Sequence, residues 1–453
     1  MSDRTLVIGG GLAGLAAAWQ IAAYAKVRLV AKGWGATHWH TGCIDVLGYF
    51  PQISDPAVPA SSDENQSTDN PISSPAQAIE ELIAGQSDHP YTLVGVQGVA
   101  ESLQALQTLC ASAGYPLHGS VERNWLLPSA VGAIRPTCLA PETMIAGDLS
   151  LDTPMLIVGF EHFVDFYSDL IAANLSHQGI PAEAVTLHLP ELAARRITTP
   201  VMFAQLMEQP DFRAALVEAL RPHLAEARRV GFPAVLGTTG RQAAAIQQEL
   251  AEHLGRPVFE IPGLPPSVPG IRLHHILTQA IEAAGGQVYE GLEAVGAEQE
   301  AAGIAGRVTG RITARISAVY TEAAARHRAH RFDHYVLATG GILGGGMTAD
   351  HQGQVRETIF DLPVTIPAGR LDWFRQDFMD KEGHPLYQAG IRVNDHFQPV
   401  DGEGRPLYSN LYAAGTTLGH CDPIRERAFD GIALATGFSL GKRLAELTVS
   451  GAR

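Results

Sequence analysis

Residues 6–16 read Leu6-Val7-Ile8-Gly9-Gly10-Gly11-Leu12-Ala13-Gly14-Leu15-Ala16, an apolar strand that runs into a G-x-G-x-x-G turn and an Ala/Leu-rich helix. Such a turn lets the backbone approach a pyrophosphate closely, and the helix N-terminus offers N–H groups and a positive dipole end. A glycine turn can also serve packing alone. Because this one follows a strand directly and precedes a second strand at 27–31, we predict phosphate contacts at Gly9, Gly11, Leu12, Ala13 and Gly14.

Composition limits the classes of partner. The chain has 453 residues and a formal net charge of −15, which argues against nucleic-acid binding and against an anionic membrane surface. Its length suits two domains rather than one small core. No apolar run reaches the roughly 20 residues that a membrane-spanning helix needs, and the N-terminus lacks the basic region and cleavage site of a signal peptide.

The cysteines predict a chain without a metal centre. Cys43, Cys110, Cys138 and Cys421 lie far apart and form no C-x-x-C motif. We therefore expect neither an iron-sulfur cluster nor a zinc site in this chain. A reduced, cytoplasmic protein is the best fit.

The end of the second strand departs from the usual dinucleotide fold. That fold places an acidic residue about twenty residues after the glycines, where it holds a ribose hydroxyl. This chain has Ala31 and Lys32 there, and no Asp or Glu occurs between Asp3 and Asp45. The departure argues against ordinary adenosine binding and leaves the phosphate turn intact.

Periodicity and composition predict the remaining organisation. Residues 53–75 are rich in Pro, Ser, Asp, Asn and Gln, which predicts an exposed low-complexity loop. Helices are expected at 12–25, 100–112, 163–177 and 431–447, and after Thr238 or Thr239 as far as Gly255. Strands are expected at 155–160, 306–320, 335–337, 387–400 and 408–414, with a solvated turn at 326–331.

A proline-rich loop delivers an arginine to the start of a helix. Four prolines and two glycines stiffen residues 262–270, and Arg272 follows with His274 and His275. A preorganised arginine of this kind suits an anion clamp. The alternative is a loop between domains with a surface ion pair.

Three segments together resemble the FAD-dependent oxidoreductases of the glutathione-reductase or succinate-dehydrogenase-like type. They are Leu6 to Gly14, Ala338-Thr339-Gly340-Gly341 and Asn410-Leu411-Tyr412-Ala413-Ala414-Gly415. The resemblance implies a discontinuous, Rossmann-like three-layer α/β domain of the FAD/NAD(P)-binding type, with an inserted α+β substrate or cap domain. It assigns 1–110 and 331–453 to the flavin domain, and 111–330, with a β-meander, to the insert. It also implies flavin contacts at Gly340, Gly341 and Gly415.

More narrowly, the chain is similar to the B-subunit family of anaerobic glycerol-3-phosphate dehydrogenases. The similarity is carried by Lys32 to Leu47, by Pro266 to Leu273, by Arg356 to Pro363, and by Asn410 to Gly437 with its Gly419-His420-Cys421-Asp422-Pro423. It implies FMN as the cofactor, with FAD as the alternative. It also implies a separate FAD-bearing catalytic subunit and an iron-sulfur subunit, through which the chain would be held at the inner membrane.

The same similarity extends the set of candidate site residues. Loop residues after the second strand, Lys32, Gly33, Thr37 and Gly42, are expected to contact the flavin. Asp422, Gly431 and Ile432 are further candidates for flavin contacts. They lie in the loop at 416–430, called the late loop below, and at the start of the helix that follows it. A helix N-terminus near the flavin stabilises the reduced, anionic ring.

The expected chemistry is hydride transfer from an alcohol carbon to the flavin. Such a reaction needs a general base, for which His38, His40 and His420 are the candidates, with His420 and His38 preferred. The candidates for binding a substrate phosphate are Arg272, Arg356 and Arg425. Three functions remain open: a flavin-bearing subunit that oxidises glycerol 3-phosphate or relays its electrons, a stand-alone FAD-dependent oxidoreductase of another small hydroxy or amino acid, and a non-catalytic structural subunit.

Overall fold

The computed structural model describes residues 4–50, 70–193, 198–224, 227–300, 314–323, 326–378, 380 and 382–451. The helices are α1 (Leu12–Ala22), α2 (Pro75–Gly85), α3 (Gly95–Ser112), α4 (Glu142–Ile145), α5 (Ser168–His177), α6 (Pro190–Ala193), α7 (Pro200–Met207), α8 (Pro210–Leu220), α9 (Gly240–Leu254), α10 (Val268–Ala283) and α11 (Phe429–Gly451). The strands are β1 (Arg4–Ile8), β2 (Lys26–Ala31), β3 (Leu117–Gly119), β4 (Trp125–Pro128), β5 (Ile134–Thr137), β6 (Leu139–Pro141), β7 (Met155–Phe160), β8 (Ala182–Leu187), β9 (Arg229–Pro233), β10 (Val258–Ile261), β11 (Gln287–Glu290), β12 (Glu293–Glu300), β13 (Arg315–Ala323), β14 (Arg326–His330), β15 (His334–Leu337), β16 (Met347–Ala349), β17 (Val355–Glu357) and β18 (Leu411–Ala413).

The chain forms two units. The first consists of Met1–Ala36, Val46–Leu103 and Leu277–Arg453, and the second of Thr37–Asp45 and Gln104–Ile276. Within the described residues, no helix is long and apolar enough to cross a membrane. In the same part of the chain, no group of three or more His, Cys, Asp or Glu residues is placed to hold a metal ion.

A five-stranded parallel sheet organises the first unit. Its strand order is β11-β2-β1-β15-β18. The antiparallel meander β12-β13-β14 packs on one face of this sheet, where Leu6 and Ile8 of β1 share a core with Ile316 and Val319 of β13. Helices α1 and α11 complete three layers, in agreement with the predicted Rossmann-like fold.

Helices α1 and α11 come into close backbone contact at Gly437 and Gly441 of α11. A Cβ on Gly437 would lie 2.3 Å from the carbonyl oxygen of Ala13, and a Cβ on Gly441 would lie 2.7 Å from that of Ala17. Both distances are shorter than real Cβ contacts allow. The glycines of α11 therefore set how closely that helix approaches the first turn of α1.

The second unit contains a four-stranded parallel sheet in the order β10-β9-β7-β8. Helices α5, α7, α8 and α9 contribute to its apolar core, in which Phe203 lies edge-on to Phe160, with ring centroids 4.7 Å apart. The short antiparallel pairs β3-β6 and β4-β5 lie in the same unit. Ile44 forms a bridge with Leu139, which attaches the segment Thr37–Asp45 to this unit.

Several predicted elements are confirmed and two are wrong. Helix α9 begins after Thr239, one of its two predicted start positions, and is capped by Gly255 as predicted. The structure adds a capping box between Thr239 and Gln242. Residues 326–330 form β14 rather than a turn, because pairing with β13 outweighs their polar composition. Residues 387–400 form isolated bridges and part of a 3-10 helix, Pro385–Gln388, instead of a strand. The predicted loop at 53–75 lies outside the described residues as far as residue 69, and α2 begins at Pro75.

The division into units differs from the boundaries expected at 110 and 330. The meander belongs to the first unit because Ile316 and Val319 are buried in the core of its parallel sheet. Residues 37–45 belong to the second unit. The insertion therefore runs from 104 to 276 and carries one short segment from the N-terminal part of the chain.

The helix contact at Gly437 yields a stability prediction. Gly437→Ala is expected to lower the free energy of unfolding by about 1–3 kcal/mol, since the new methyl group overlaps the backbone of Ala13. The matched control is Gly85→Ala, also in a helix, where an added Cβ meets no heavy atom within 4 Å. This control is expected to be neutral or slightly stabilising. Urea unfolding of both variants tests the contact, and equal midpoints would contradict it.

Candidate functional site

Three neighbouring strands of the first unit end in glycine turns at one edge of the sheet. Strands β1, β15 and β18 are parallel neighbours, so their carboxyl ends lie together. Gly9, Gly340 and Gly415 follow these strands with φ angles of +123°, +77° and +82°. Ligands of open parallel sheets bind at this edge, and the turns predicted from sequence are therefore brought together.

The first turn is closed on one side and open on the other. A Cβ on Gly9 would lie 2.1 Å from the carbonyl oxygen of Ala338, and one on Gly14 would lie 2.0 Å from that of Gly9. A Cβ on Gly11, by contrast, would meet no heavy atom within 4 Å. Helix α1 starts at Leu12 with no side-chain cap and no acid in its first turn. Its first N–H groups are therefore available to an anion.

Two threonines beside these turns have buried hydroxyls without a hydrogen-bond partner among the described residues. They are Thr339 and Thr417, and their Oγ1 atoms are inaccessible to solvent. The loops that carry them touch, because a Cβ on Gly341 would lie 2.8 Å from the carbonyl oxygen of Thr416. A buried hydroxyl without a partner costs about 1–3 kcal/mol. Such hydroxyls suit a cofactor with polar ring atoms.

A buried polar network fixes the loop that precedes α11. Nδ1 of His89 accepts a hydrogen bond from the backbone N–H of Tyr91 at 3.1 Å, so this ring carries its proton on Nε2. Nε2 then donates to the Glu426 carboxylate at 3.1 Å. The second oxygen of that carboxylate accepts the backbone N–H of Asp422 at 2.9 Å. His89 and Glu426 are both almost fully buried, and the loop between Asp422 and Glu426 is thereby held in one conformation.

His420 lies in the same loop with an unusual backbone. Its φ angle is +66°, a region that residues other than glycine rarely adopt. Its Nε2 atom is buried and has no hydrogen-bond partner among the described residues. Burial lowers the pKa of the ring, with Asp88 opposing this change and Arg392 and His89 adding to it. The ring is therefore neutral over a wider pH range than an ordinary histidine.

A cavity of about 370 Å³ lies beside this loop in the first unit. Asp422 and Arg425 line it together with aromatic side chains that include Phe378 and Tyr387. Burial raises the pKa of Asp422, although its Oδ1 atom accepts the backbone N–H of Arg425 at 3.0 Å. The guanidinium of Arg425 is half-buried, and its positive charge opposes the rise in the pKa of Asp422. Tyr387 and Ile424 also line a smaller cavity next to Gly341 and Thr416.

Arg272 is a correction to the predicted anion clamp. Its side chain is completely buried and forms two hydrogen bonds with the Glu260 carboxylate, at 2.7 and 2.9 Å. Nε and Nη2 also donate to the carbonyl oxygen of Gly237. Thr143 and the backbone N–H of Leu236 donate to the same carboxylate. This geometry contradicts a clamp for an external anion, because the guanidinium and its counter-ion are already paired.

The other predicted site residues lie in separate surroundings. Lys32 is exposed and pairs with Glu293 at 2.9 Å. Arg356 is exposed on β17. Thr37 and Gly42 are in the second unit, where a Cβ on Gly42 would lie 2.7 Å from Cβ of Pro269. The backbone of residue 38 belongs to the 3-10 helix Gly35–Trp39, and the candidate base His38 has a side chain outside the described part of the chain.

The helix at the late loop begins earlier than predicted. Helix α11 starts at Phe429 rather than Gly431, and Asp430 lies in its first turn. Gly431 and Ile432 are therefore first-turn residues, and the N–H of Ile432 already donates to the carbonyl of Ala428 at 2.9 Å. The acid in this turn competes with an anionic group for the positive end of the helix.

Sequence reasoning missed residues that depend on distant contacts. His89 and Glu426 are 337 positions apart, and no local pattern joins them. The buried pair of Arg135 with Asp45, at 2.8 Å, is of the same kind. Thr339 and Thr417 had a local signal, because both follow predicted strands within the glycine-containing segments.

Comparison with known proteins gives a consistent result over nearly the whole chain. The family model described as FAD binding domain matches residues 4–428. A protein of Halobacterium salinarum, named as the probable B subunit of an anaerobic glycerol-3-phosphate dehydrogenase, is 35% identical over 98% of each chain. A protein of Pectobacterium atrosepticum, named as the B subunit of an anaerobic glycerol-3-phosphate dehydrogenase, is 32% identical over 98% of this chain and 99% of its own.

Solved structures are more distant. The 3-ketosteroid delta1-dehydrogenase of Sterolibacterium denitrificans aligns with 98% of this chain and 100% of its own, at 11% identity and a TM-score of 0.42. A flavocytochrome c3 fumarate reductase in its open conformation aligns with 99% of this chain and 78% of its own, at 10% identity and a TM-score of 0.43.

The buried ion pair of the second unit can be tested directly. Arg272→Ala is expected to lower the free energy of unfolding by about 3–5 kcal/mol, because it leaves the Glu260 charge buried and unpaired. Arg221→Ala is the control, since its pair with Glu218 is exposed and contributes little. Urea unfolding measures both. A stable Arg272→Ala variant with only a raised KM would instead restore the anion clamp.

Proposed function

Because the chain belongs to the FAD binding domain family and to the B-subunit family of anaerobic glycerol-3-phosphate dehydrogenases, we propose that it is the flavin-bearing subunit of a glycerol-3-phosphate:acceptor oxidoreductase. It is a flavin-dependent dehydrogenase subunit. Its substrate would be glycerol 3-phosphate and its product dihydroxyacetone phosphate. The extent of the similarity, 98% of both chains at 35% identity, supports the assignment of the whole chain rather than of one domain.

One structural observation is the main support for the proposal. The three glycine turns, at Gly9 to Gly14, Gly340 and Gly415, meet at one sheet edge and form a glycine cradle that is open where a ligand is expected. Gly11 has free space above it, and α1 has an uncapped N-terminus. The partnerless hydroxyls of Thr339 and Thr417 lie in the turns that follow β15 and β18. Phosphate would bind at Gly11 to Gly14 and the flavin ring near Gly340 and Gly415.

FAD is the form of flavin that we propose. The matched family model describes an FAD binding domain, and the comparisons do not confirm the expected FMN. The family resemblance implies FMN, and the absence of an acidic residue directly after β2 agrees with it. The sheet, however, contains a further parallel strand, β11, beside β2. The absence of an acid on one strand therefore does not decide which flavin is bound.

When bound, a flavin accepts a hydride from the alcohol carbon of the substrate. The task of the chain is to hold that alcohol and remove its proton. We propose that Nε2 of His420 accepts this proton. This atom is buried and has no hydrogen-bond partner among the described residues. Because burial lowers the pKa of this ring, the neutral imidazole, which can accept a proton, predominates near neutral pH.

The substrate phosphate is assigned to the cavity beside the late loop. Arg425 lines the cavity together with Asp422, and the charge of its guanidinium opposes the rise that burial causes in the pKa of that carboxyl. Its backbone N–H is bonded to Asp422, and the loop is fixed by the buried contact of Glu426 with His89. A fixed arginine binds a phosphate dianion with little loss of conformational entropy.

Partners follow from the family. The relatives are named as subunits, so the chain is part of a larger enzyme. We propose an FAD-bearing catalytic subunit and an iron-sulfur subunit as its partners, in line with the sequence resemblance. Through them the chain would be held at a membrane, and its electrons would reach the acceptor.

Anaerobic mixing of the flavin-loaded chain with glycerol 3-phosphate tests the proposed function. Loss of the visible flavin absorbance in a single turnover is expected, with dihydroxyacetone phosphate as the product. Bleaching that requires the assembled complex would assign the chain to electron relay. Bleaching by another small hydroxy or amino acid, and not by glycerol 3-phosphate, would support the stand-alone oxidoreductase.

The assignment of His420 predicts a pH profile. A base with a lowered pKa is active above that pKa and is lost by protonation as the pH falls, so kcat/KM should decline only below about pH 6.5. His420→Gln is expected to lower kcat by about 10²–10⁴-fold and to abolish this acid limb. Turnover with a dye acceptor measures both. An unchanged profile in the variant would exclude His420 as the base.

Arg425 and Arg356, the two remaining candidates for the phosphate site, can be distinguished by the KM for glycerol 3-phosphate. Arg425→Ala is expected to raise KM for glycerol 3-phosphate by about tenfold or more, because a charge-assisted hydrogen bond contributes about 1.5–3 kcal/mol. Arg356→Ala, on an exposed hairpin, tests the competing candidate. Glycerol serves as the reference substrate, since it lacks the phosphate. If KM rose only in the Arg356→Ala variant, the phosphate site would lie at β17 and the assignment to Arg425 would be wrong.

A further inference from the structure

Three large apolar side chains of one loop in the first unit are exposed to solvent. Leu371, Phe374 and Phe378 are 95%, 53% and 85% exposed. Single exposed apolar residues are common on protein surfaces, whereas a cluster of them marks a contact surface. Building on the proposed function, in which the chain is one subunit of a larger oxidoreductase, we propose that residues 370–378, called the apolar loop below, form the surface on which a companion subunit docks.

Buried contacts hold the first half of the apolar loop in place. Trp373 lies between Leu371 and Phe374 in the sequence, but its side chain is buried. Its indole Nε1 donates to the carbonyl oxygen of Pro367 at 3.1 Å, and its own carbonyl accepts the backbone N–H of Leu386 at 3.1 Å. The loop is thus anchored on its inner side while its other large side chains stay outside.

The second half of the loop is anchored by the buried ring of His384. Its Nδ1 atom accepts the backbone N–H of Arg375 at 3.1 Å, so the ring carries its proton on Nε2, which donates to the carbonyl oxygen of Phe378 at 3.0 Å. The ring of Phe374 lies edge-on to the same imidazole, with ring centroids 5.5 Å apart. Arg375 also forms an ion pair with Glu382. A loop fixed in this way loses little conformational entropy when a partner binds its apolar side chains.

The exposed apolar surface continues towards the proposed active site. Phe378 and Ile424 line the cavity of about 370 Å³, and Ile424 and Leu343 line the smaller cavity next to Gly341. Ile424 and Leu343 are themselves exposed. A subunit seated on the apolar loop therefore lies beside the mouth of the proposed substrate cavity and near the glycine cradle.

The occupant that fits this surface is a companion chain of different sequence with an apolar hollow. The relatives are named as B subunits, a name that implies companion chains other than copies of themselves. Residues 370–382 contain four acidic and three basic residues, so this segment does not attract an anionic lipid surface. With charges so nearly balanced, the contact depends on apolar burial, in which a few large side chains contribute most of the binding energy.

Hydrogen exchange on the native complex tests the inference. The complex is purified from its host through a tag on this chain, and mass spectrometry is expected to identify its other chains as subunits of a glycerol-3-phosphate dehydrogenase. Backbone amides of residues 370–378 are expected to exchange more slowly in the complex than in the isolated full-length chain. The variants are Leu371→Ser and Phe378→Ser. The matched control is Tyr24→Ser, because Tyr24 is 62% exposed just after α1 in the same unit.

Mass photometry of the complex at increasing dilution measures how tightly it is assembled. Leu371→Ser and Phe378→Ser are each expected to raise the dissociation constant about tenfold or more, as the loss of a central apolar side chain does in other interfaces. Tyr24→Ser should leave it unchanged, and added salt should have little effect because the contact is apolar. Melting temperatures show whether each variant remains folded. The isolated Leu371→Ser chain should bind flavin as the wild type does, since Leu371 is not among the described residues that line the cavity.

Unchanged assembly in both folded variants would overturn the inference, and so would slower exchange in the complex at other segments with none at 370–378. A dimer of the isolated chain that is lost in Phe378→Ser would assign the surface to a second copy and would also overturn it. Binding to vesicles of anionic lipid that is lost in the same variant would do so as well. A chain that assembles through the apolar loop but binds no flavin would instead contradict the proposed function and leave the docking surface standing.

Discussion

The close approach of the backbone at Gly9 is the constraint on which the rest of the first unit depends. The carbonyl of Ala338 and that of Gly9 occupy the positions where Cβ atoms would stand on Gly9 and Gly14. Strand β15 can therefore pair with β1 only if the turn has no side chains. The same contact brings the segment that contains Gly340 to the glycine turn after β1. One steric condition is thus required both for the pairing of β1 with β15 and for the meeting of their glycine turns.

The late loop is held by polar contacts rather than by an apolar core. His89, Glu426 and Asp422 are linked by hydrogen bonds that leave each buried group with a partner. Buried charges are expensive unless they are satisfied in this way. These contacts hold the loop that carries Arg425 and follows His420, the residues that we propose for binding the phosphate and removing the proton. In the second unit, Arg272 and Glu260 show the same physical principle in a structural role.

The sequence predicted what depends on local chemistry. The G-x-G-x-x-G turn, the strands at 155–160 and 335–337, and the two ends of α9 all have signals within a few residues. Errors arose where tertiary pairing decides, as in β14 and at 387–400.

The candidate site was predictable only in part. The glycine turns and His420 carry local signals, and the structure brings the turns to one sheet edge. The burial of Arg272 could not be foreseen, because its partner Glu260 lies on another element and its loop looks exposed in the sequence. The position of β11 beside β2 depends on strand order, which a single sequence does not contain.

The most direct test of this account is the absorption spectrum of the purified chain, together with chromatography of what acid releases from it. We predict a flavin spectrum and released FAD. Released FMN would contradict the proposed form of the cofactor. A protein that remains colourless after incubation with FAD and with FMN would contradict the central claim that the glycine cradle holds a flavin.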